Sequence, residues 1–435
     1  MKYYCIGIKG TGMSTLAQIL YDLGNEVSGY DDAEGYKFTQ DGLEKRGIKI
    51  YYGHDHDIDK DTIVTYSVAF SKDHPEMKRV QEMGLQMKAY GEIMGDVIDQ
   101  FDTIGVSGTH GKTTTSSIIR HILEENGGCN YFIGSGDGMA TRDNKYYVVE
   151  SDEFNRHFLY YKPKYAIIAS MEEEHMEVYK DIDDIRETFE KFANQTKELV
   201  IANGDNPQIR RINFNTPVMF FGFNDDNDIV IKNMNLSTDG GHFDLEIKGE
   251  MLGHFDIPLY GKHMVMNAAS AIAMCNYLGV SYDNIYKALS NFQNAKRRME
   301  TTVIDDTTII DDYAHHPTEI KVTLEAVRQK YPDKKIVVVF RPNTYSRFAN
   351  FKDEFIDALQ VADKVYLTEV QANRERAEDY PGISSKLIVD AIDGAEMVEE
   401  ETIDKLNKEI GNVVVFMGCA DNSHLIAGFE DLLKK

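Results

Sequence analysis

One stretch restricts the fold more than any other: Gly108-Thr109-His110-Gly111-Lys112-Thr113-Thr114. Before it stands Thr103 to Ser107, a β-branched run that reads as a buried strand. After it, Ile118, Ile119, Ile122 and Leu123 recur at helical spacing within Ser116 to Asn126, and Gly127-Gly128 supplies a stop. Strand, glycine loop and helix in that order make an anion site. Backbone N–H groups at the loop and helix N-terminus face the anion, and the helix dipole adds partial positive charge. The glycines let the backbone approach without a Cβ clash. Lys112 is placed to reach outer phosphates, and the Thr113 hydroxyl to ligate Mg2+. The loop is a shortened variant: the first glycine of the general P-loop pattern falls on Val106.

The 435 residues suffice for two to four domains. A net charge of −25 argues against nucleic acid, whose phosphates demand a basic face. An anionic substrate must therefore be held by local basic groups and amides. Cys5, Cys129, Cys275 and Cys419 lie far apart and form no metal-ligand pair, so they read as buried free thiols. No signal peptide and no membrane-length apolar stretch is present, and the expectation is a cytoplasmic protein without membrane insertion.

Along the chain, Tyr3 to Ile8 reads as a strand, followed by a turn through Gly7, Gly10 and Gly12. A helix with Met13, Leu16, Ile19, Leu20 and Leu23 on one face comes next, then a strand from Glu26 to Tyr30 ending at Asp31-Asp32. This βαβ opening points to a nucleotide diphosphate, although its glycine order differs from the dinucleotide fingerprint. The acidic pair is either a ribose contact or a solvated strand end. Asp61 to Phe70 is a further strand, with a helix starting within Ser71 to Glu76. Tyr52-Gly53-His54-Asp55-His56-Asp57 reads as an exposed acidic loop, its alternation too local to wrap one ion. Strands at Tyr146 to Val149 and Tyr165 to Ala169 end in Glu150-Ser151-Asp152-Glu153 and in Ser170 to His175, where open α/β sheets bind ligands. Glu150 and His175 are candidate metal ligands; Glu172 to Glu174 is alternatively a solvated helix start. A β-rich stretch from Pro217 to Leu259 precedes a helix through Asn267 and Ala271. A polar link, Asn294 to Arg298, is the expected hinge to a third unit. There strands (308–310, 335–340, 364–368, 412–417) alternate with helices (319–330, 351–360, 384–390), the pattern of a parallel, doubly wound sheet.

Taken whole, the chain resembles the Mur ligase family. The residues that carry the resemblance are Gly7 to Ser14, Gly108 to Thr114, Glu150 to Glu153, Glu174-His175, Arg297-Arg298 and Asp311-Asp-Tyr-Ala-His-His-Pro-Thr-Glu319. It implies an α/β fold of three domains: a Rossmann-like N-terminal UDP-sugar domain (1–98), a central P-loop ATPase-like ATP/Mg2+ domain with a β-rich part (99–296), and a C-terminal doubly wound Rossmann-like amino-acid domain (297–435). It implies ATP and Mg2+ as cofactors, and UDP-N-acetylmuramate and L-alanine as small-molecule substrates. By the same resemblance, Lys112 with the rest of Gly108, Thr109, His110, Gly111, Thr113 and Thr114 holds the phosphates. Thr113, Glu150 and His175 form the Mg2+ sphere. His263 and Asn267 face adenine; Arg298 and Asp312 complete the nucleotide site, Asp312 at the ribose. Gly10, Gly12, Met13, Ser14, Asp31, Ser67 and Ala69 match the UDP-sugar side. His315, His316 and Arg347 approach the phosphates, the muramate carboxylate or the amino acid. The chain departs from the usual family residues at Ala169-Ser170, Glu174, Arg341, Asn343, Gln371 and Gly418-Cys419-Ala420.

The implied reaction is phosphorylation of a carboxylate by ATP, then displacement of phosphate by an amine. Phosphoryl transfer needs positioning and charge neutralisation more than covalent help, and Lys112 and Mg2+ supply the neutralisation. Three other readings remain open at this stage: a ligase joining a preformed tripeptide to the same sugar nucleotide, a nicotinamide-dependent dehydrogenase, and a non-catalytic nucleotide-binding protein.

Overall fold

The computed structural model describes residues 1–434 apart from Val68, Ser135, Glu177 and Arg374. They form three sheets in two compact units. One unit comprises Met1–Lys232, Asp244–Gly253 and Asn267–Leu289; the other comprises Asn233–Phe243, His254–Met266 and Ser290–Lys435.

The first sheet is wholly parallel, in the order Lys49–Tyr51, Glu26–Tyr30, Lys2–Ile6, Thr62–Tyr66, Gln86–Ala89. Its helix Thr11–Asp22 buries Met13, Leu16, Ile19 and Leu20, as the apolar spacing requires. The strand expected from Asp61 to Phe70 stops at Tyr66, because Ser67 turns the chain to accept the Ala69 amide; Val68 lies outside the described residues. In the second sheet, Asp102–Ser107 runs between Tyr146–Glu150 and Tyr165–Ile168, with parallel register Val106↔Glu150 and Ser107↔Ile168. That register brings the carboxyl ends of the three strands to one edge, so their loops meet. The β-rich stretch forms as expected, with strands Val218–Gly222, Ile229–Ser237, Gly240–Ile247 and Glu250–Ile257.

The first sheet and the second sheet as far as Val218–Gly222 belong to the same unit because they share a core. Tyr3, Cys5, Leu16 and Leu20 cluster with Tyr147, Val149, Phe158 and Phe189. The contact is close: a Cβ on Gly138 would stand 2.4 Å from the Thr15 methyl, and Arg142 donates to the Leu23 carbonyl at 3.0 Å.

The third sheet pairs Glu300–Ile304 antiparallel with Thr307–Asp312. It continues in parallel through Val413–Met417, Ile336–Phe340, Lys364–Leu367 and Glu396–Met397. Separate apolar clusters cover its two faces, which makes it doubly wound. Here too one edge collects the carboxyl ends, Asp312, Phe340, Leu367 and Met417.

Two further local expectations need correction. The phosphate-loop helix is Lys112–Glu124, four residues longer at its start than its apolar period, because Thr114, Thr115 and Ser116 are buried although polar. Glu172 to Glu174 starts no helix; the next helix is Ile182–Gln195, and Glu174 is buried rather than solvated. In the loop of Gly53 to Asp57, Asp55 and Asp57 are exposed as expected. His54 is exposed as well and only His56 is partly covered, while buried Glu76 anchors the loop from below. Glu76 meets His54 Nδ1 at 2.6 Å and the Tyr4 hydroxyl at 2.7 Å, and Tyr4 in turn reaches His56 Nε2 at 2.8 Å.

Candidate active site

At the carboxyl edge of the second sheet the loop leaves Ser107 and turns at two glycines with positive φ, Gly108 at 141° and Gly111 at 84°. Gly111 caps the helix. A Cβ there would stand 2.5 Å from Asn267 Oδ1, so the turn admits no side chain, and Asn267 is thereby placed against the loop. The amides of Lys112, Thr113 and Thr114 fill the first helical turn, where the helix itself offers no acceptor. The His110 amide is different: it donates to Ser170 Oγ at 2.7 Å, and Ser170 Oγ returns a bond to the His110 carbonyl at 2.9 Å. Thr109 Oγ1 lies 3.1 Å from the same hydroxyl. Ser170, one of the departures from the usual family residues, thus staples the loop.

Lys112 bends back over the loop. Its ammonium donates to the Gly108 carbonyl at 2.7 Å and to both Glu153 oxygens at 2.8 and 3.0 Å. Glu153 is 1% exposed. Burial raises its carboxyl to about 7, against the pull of the Lys112 ammonium. Burial alone would lower Lys112, but the carboxylates of Glu153, Asp152, Glu174 and Glu150 together more than reverse this, and it stays charged. One residue on, Thr113 Oγ1 donates to Glu150 at 3.1 Å, and the Gly134 amide fixes that carboxylate at 2.7 Å. His175 joins a second group, with Nε2 3.9 Å from Glu153 and Glu174 beside it. Its φ of 56° is unusual for a side chain of this size. Strain of this kind collects at functional positions.

The candidate residues on the first sheet fall into two groups. Gly10 is exposed at the turn, whereas the Met13 and Ser14 side chains are buried, Ser14 Oγ donating to the Thr39 carbonyl. Gly12 sits on the first turn of the helix. Asp31 accepts from the Lys9 and Ala33 amides, at 2.9 and 3.0 Å, which shapes the loop. Ser67 stands beside Gly7, whose Cβ position lies 3.1 Å from its side chain, and Ala69 donates its amide to the Ser67 hydroxyl.

In the other unit, Asp312 is 3% exposed and accepts from the Met299 and Ala314 amides at 2.8 and 2.9 Å. Burial raises its carboxyl above the usual range. Both oxygens serve the loop. Arg298 lies over the Tyr313 ring at 5.2 Å and 4.0 Å from Glu319. Glu319 also accepts from the His315 amide and faces its ring at 3.2 Å. His316 caps the helix Pro317–Lys330. His263 folds back over Gly261. The altered residues converge. Asn343 bridges to Gln371, Arg341 donates to the Asp421 carbonyl at 2.6 Å, and Cys419 adjoins Asn343 and Arg347.

Residue patterns alone do not single out Glu153, Ser170 or Lys9 as site-shaping groups. Lys9 is 1% exposed, and its ammonium pins the Ala33 and Gly35 carbonyls at 2.5 and 2.6 Å. The one available signal was position, since Glu153 and Ser170 follow strand ends that face the loop.

Known families match this arrangement along nearly the whole chain. Residues 2–102 match the Mur ligase family catalytic domain, 106–275 the Mur ligase middle domain, and 297–420 the glutamate ligase domain of the same family. The chain is a member of the Mur ligase family. Within it, the chain is 41% identical to a UDP-N-acetylmuramate–L-alanine ligase of Lactiplantibacillus plantarum over 99% of both chains. It is 40% identical to the ligase of that name from Limosilactobacillus reuteri, again over 99% of both. Among solved structures, the UDP-N-acetylmuramate-alanine ligase of Thermotoga maritima superposes with a TM-score of 0.79 at 26% identity, covering 100% of this chain and 98% of that one. A murein peptide ligase from Psychrobacter arcticus shares the fold, with a TM-score of 0.70 at 22% identity over 100% and 98% of the chains. As a Mur ligase the chain is ATP-dependent. No helix among the described residues is long and apolar enough to cross a membrane.

Proposed function

We propose that this chain joins the carboxylate of UDP-N-acetylmuramate to the amine of L-alanine at the expense of ATP, in peptidoglycan precursor synthesis. The observation that carries the reading is the identity of 40–41% over 99% of the chain with ligases of that name. In this reading the sugar nucleotide is held by residues 1–98, the ATP phosphates by 99–296 and the amino acid by 297–435, and the enzyme works in the cytoplasm. The first-turn amides and Lys112 hold the phosphates, and Lys112 neutralises charge as the γ-phosphoryl group passes to the carboxylate. The resulting acyl phosphate is attacked by the amine, and phosphate leaves. The oxygen donors of Thr113 and Glu150, 3.1 Å apart, suit Mg2+; the family resemblance would add His175, whose neighbours here are Glu153 and Glu174. Bound there, Mg2+ supplies further neutralisation of the phosphates. Arg341, Asn343 and Gln371 line the strand ends where the amine is selected. Phosphate release measured with UDP-N-acetylmuramate, ATP, Mg2+ and a panel of amines tests the reading. Alanine is expected to support turnover best. Release that requires a tripeptide, and ignores alanine, overturns it in favour of the peptide-joining activity.

A further inference from the structure

The ribbon formed by Gly240–Ile247 and Glu250–Ile257 carries a group of side chains that the site above does not use. Lys248 and Gly249 join the strands, both at positive φ (52° and 81°), as a two-residue hairpin turn requires. Phe243 and Phe255 are fully buried, their ring centroids 5.8 Å apart. Strand alternation therefore sends His242, His254 and Asp256 to the opposite, solvent-facing side. There the two imidazoles converge on one oxygen: His242 Nδ1 lies 2.6 Å and His254 Nε2 3.2 Å from Asp256 Oδ1. The other ring nitrogen of His242 lies 2.9 Å from Ser237 Oγ and 3.3 Å from Asp239 Oδ1.

We propose that His242, His254 and Asp256 form a three-ligand site for a first-row transition-metal ion of the Zn2+ type. Their donor atoms all lie within 4.8 Å of one another. Four-coordinate Zn2+, with bonds of about 2.0–2.1 Å, separates its ligands by about 3.3 Å. The His254–Asp256 spacing already matches, and the His242 ring needs to withdraw by about 0.7 Å to reach the same spacing. Two imidazoles and one carboxylate favour a transition ion over Mg2+ or Ca2+, which take oxygen. The Asp239 and Ser237 contacts are independent support. A metal-bound histidine characteristically engages a carboxylate or similar acceptor through its other nitrogen, which fixes the ring. His254 is half exposed, so the ion enters from solvent and water completes its sphere. The site lies at the end of the ribbon that Gln329 ties down through the Ser237 and Gly240 carbonyls and the Gly261 amide. Metal there braces the strand leading into Pro258 to Gly261.

The test uses untagged, full-length, metal-stripped protein. One arm is native and one carries His175→Ala, so that the Glu153–Glu174–His175 group cannot supply the binding. Zn2+ is titrated against a chromophoric chelator, and Co2+ uptake is followed by visible absorption. One equivalent is expected in the His175→Ala arm. His242→Asn and His254→Asn each lose it while far-UV circular dichroism is unchanged, and Asp239→Asn weakens it by about 10- to 100-fold. An unchanged equivalent in both histidine variants overturns the proposal. So does the absence of any bound equivalent in both the native and His175→Ala proteins.

Discussion

Replacing Lys112 with Met should destabilise the protein before any substrate is considered. The ammonium lies 2.8 and 3.0 Å from the two oxygens of a carboxylate that is 1% exposed. At an effective dielectric constant of about 20, the gross attraction at that distance is about 6 kcal/mol. Desolvation of both groups offsets much of this, but only while both are present. Removing one partner leaves a buried carboxyl without its ammonium, which escapes the charge by taking up a proton; with a native value of about 7, the deficit is then about 1.4 kcal/mol for each pH unit above 7. The Gly108 carbonyl loses a donor as well. The double variant Lys112→Met/Glu153→Gln removes the stranded charge and should return to within about 1 kcal/mol of the native protein. The pH dependence has a definite sign. Burial raises Glu153 to about 7 even with the ammonium opposing it, and without Lys112 it rises further. A raised carboxyl keeps its full stability below the ordinary carboxylate value and loses it as pH climbs through the folded value. The single variant's deficit is therefore largest above pH 7 and vanishes near pH 4. The chain contains no Trp, so far-UV circular dichroism in urea is the assay, read at the first transition without nucleotide. A deficit under about 1 kcal/mol at pH 8, or no recovery in the double variant, refutes the argument.

Other perturbations have equally definite expectations. His175→Gly relieves a left-handed backbone costing about 1–2 kcal/mol, so thermal stability should rise slightly while the Mg2+ requirement for phosphate release increases; an unchanged Mg2+ titration removes His175 from the metal sphere. Arg297 donates to Asp311 at 3.1 Å and to the Gly418, Cys419 and Ala420 carbonyls at 2.6, 3.3 and 2.7 Å. Lysine cannot reproduce that fork, so Arg297→Lys should lose about 2 kcal/mol in urea unfolding, and an unchanged midpoint counts against the clamp. Lys364 and Lys408 hold Glu396 down to about 2. A lowered carboxyl contributes stability above the ordinary carboxylate value and loses it as pH falls towards 2. Because the group is about one-third exposed, Glu396→Gln should cost only about 1 kcal/mol at pH 7 and nothing at pH 2; equal losses at both pH values contradict the assignment.

The parts of the fold that were legible in the sequence are those where local pattern and tertiary role coincide. The strand before the phosphate loop is made of β-branched and small residues because both its faces are buried, and Gly111 is glycine because Asn267 fills the space a Cβ would need. The third sheet declared itself through alternation, since its strands Ile336–Phe340 and Val413–Met417 are short apolar runs bounded by polar turns, whereas its edge strands Glu300–Ile304 and Glu396–Met397 carry no such run. The start of the helix after the loop was hidden because polar side chains occupy its buried face. The merger of the first two sheets into one unit was hidden for another reason. It depends on Gly138 meeting Thr15 and on Arg142 reaching the Leu23 carbonyl, contacts between residues more than 100 positions apart that no local window contains. Asp31 and Asp312 show the converse limit. Their positions at strand ends were legible, but not that each carboxylate also accepts two loop amides.

The charge around Lys112 bears on how a triphosphate binds at all. One ammonium faces the carboxylates of Glu153, Asp152, Glu174 and Glu150. The helix N-terminus adds the equivalent of about half a positive charge, and the net charge of −25 offers no attraction from a distance. The local sum is negative before a polyanion arrives. The phosphates can settle on the first-turn amides only if cationic charge accompanies them or the carboxylates turn to ligate it, as the pairing of Glu150 with Thr113 allows. Nucleotide affinity should therefore depend on divalent cation far more steeply than a single phosphate-binding lysine implies. Equilibrium binding of ATP with Mg2+ and with a chelator in its place measures this, and the gap should narrow in Glu153→Gln. Equal affinity under the two conditions would mean that Lys112 and the loop amides balance the carboxylates unaided.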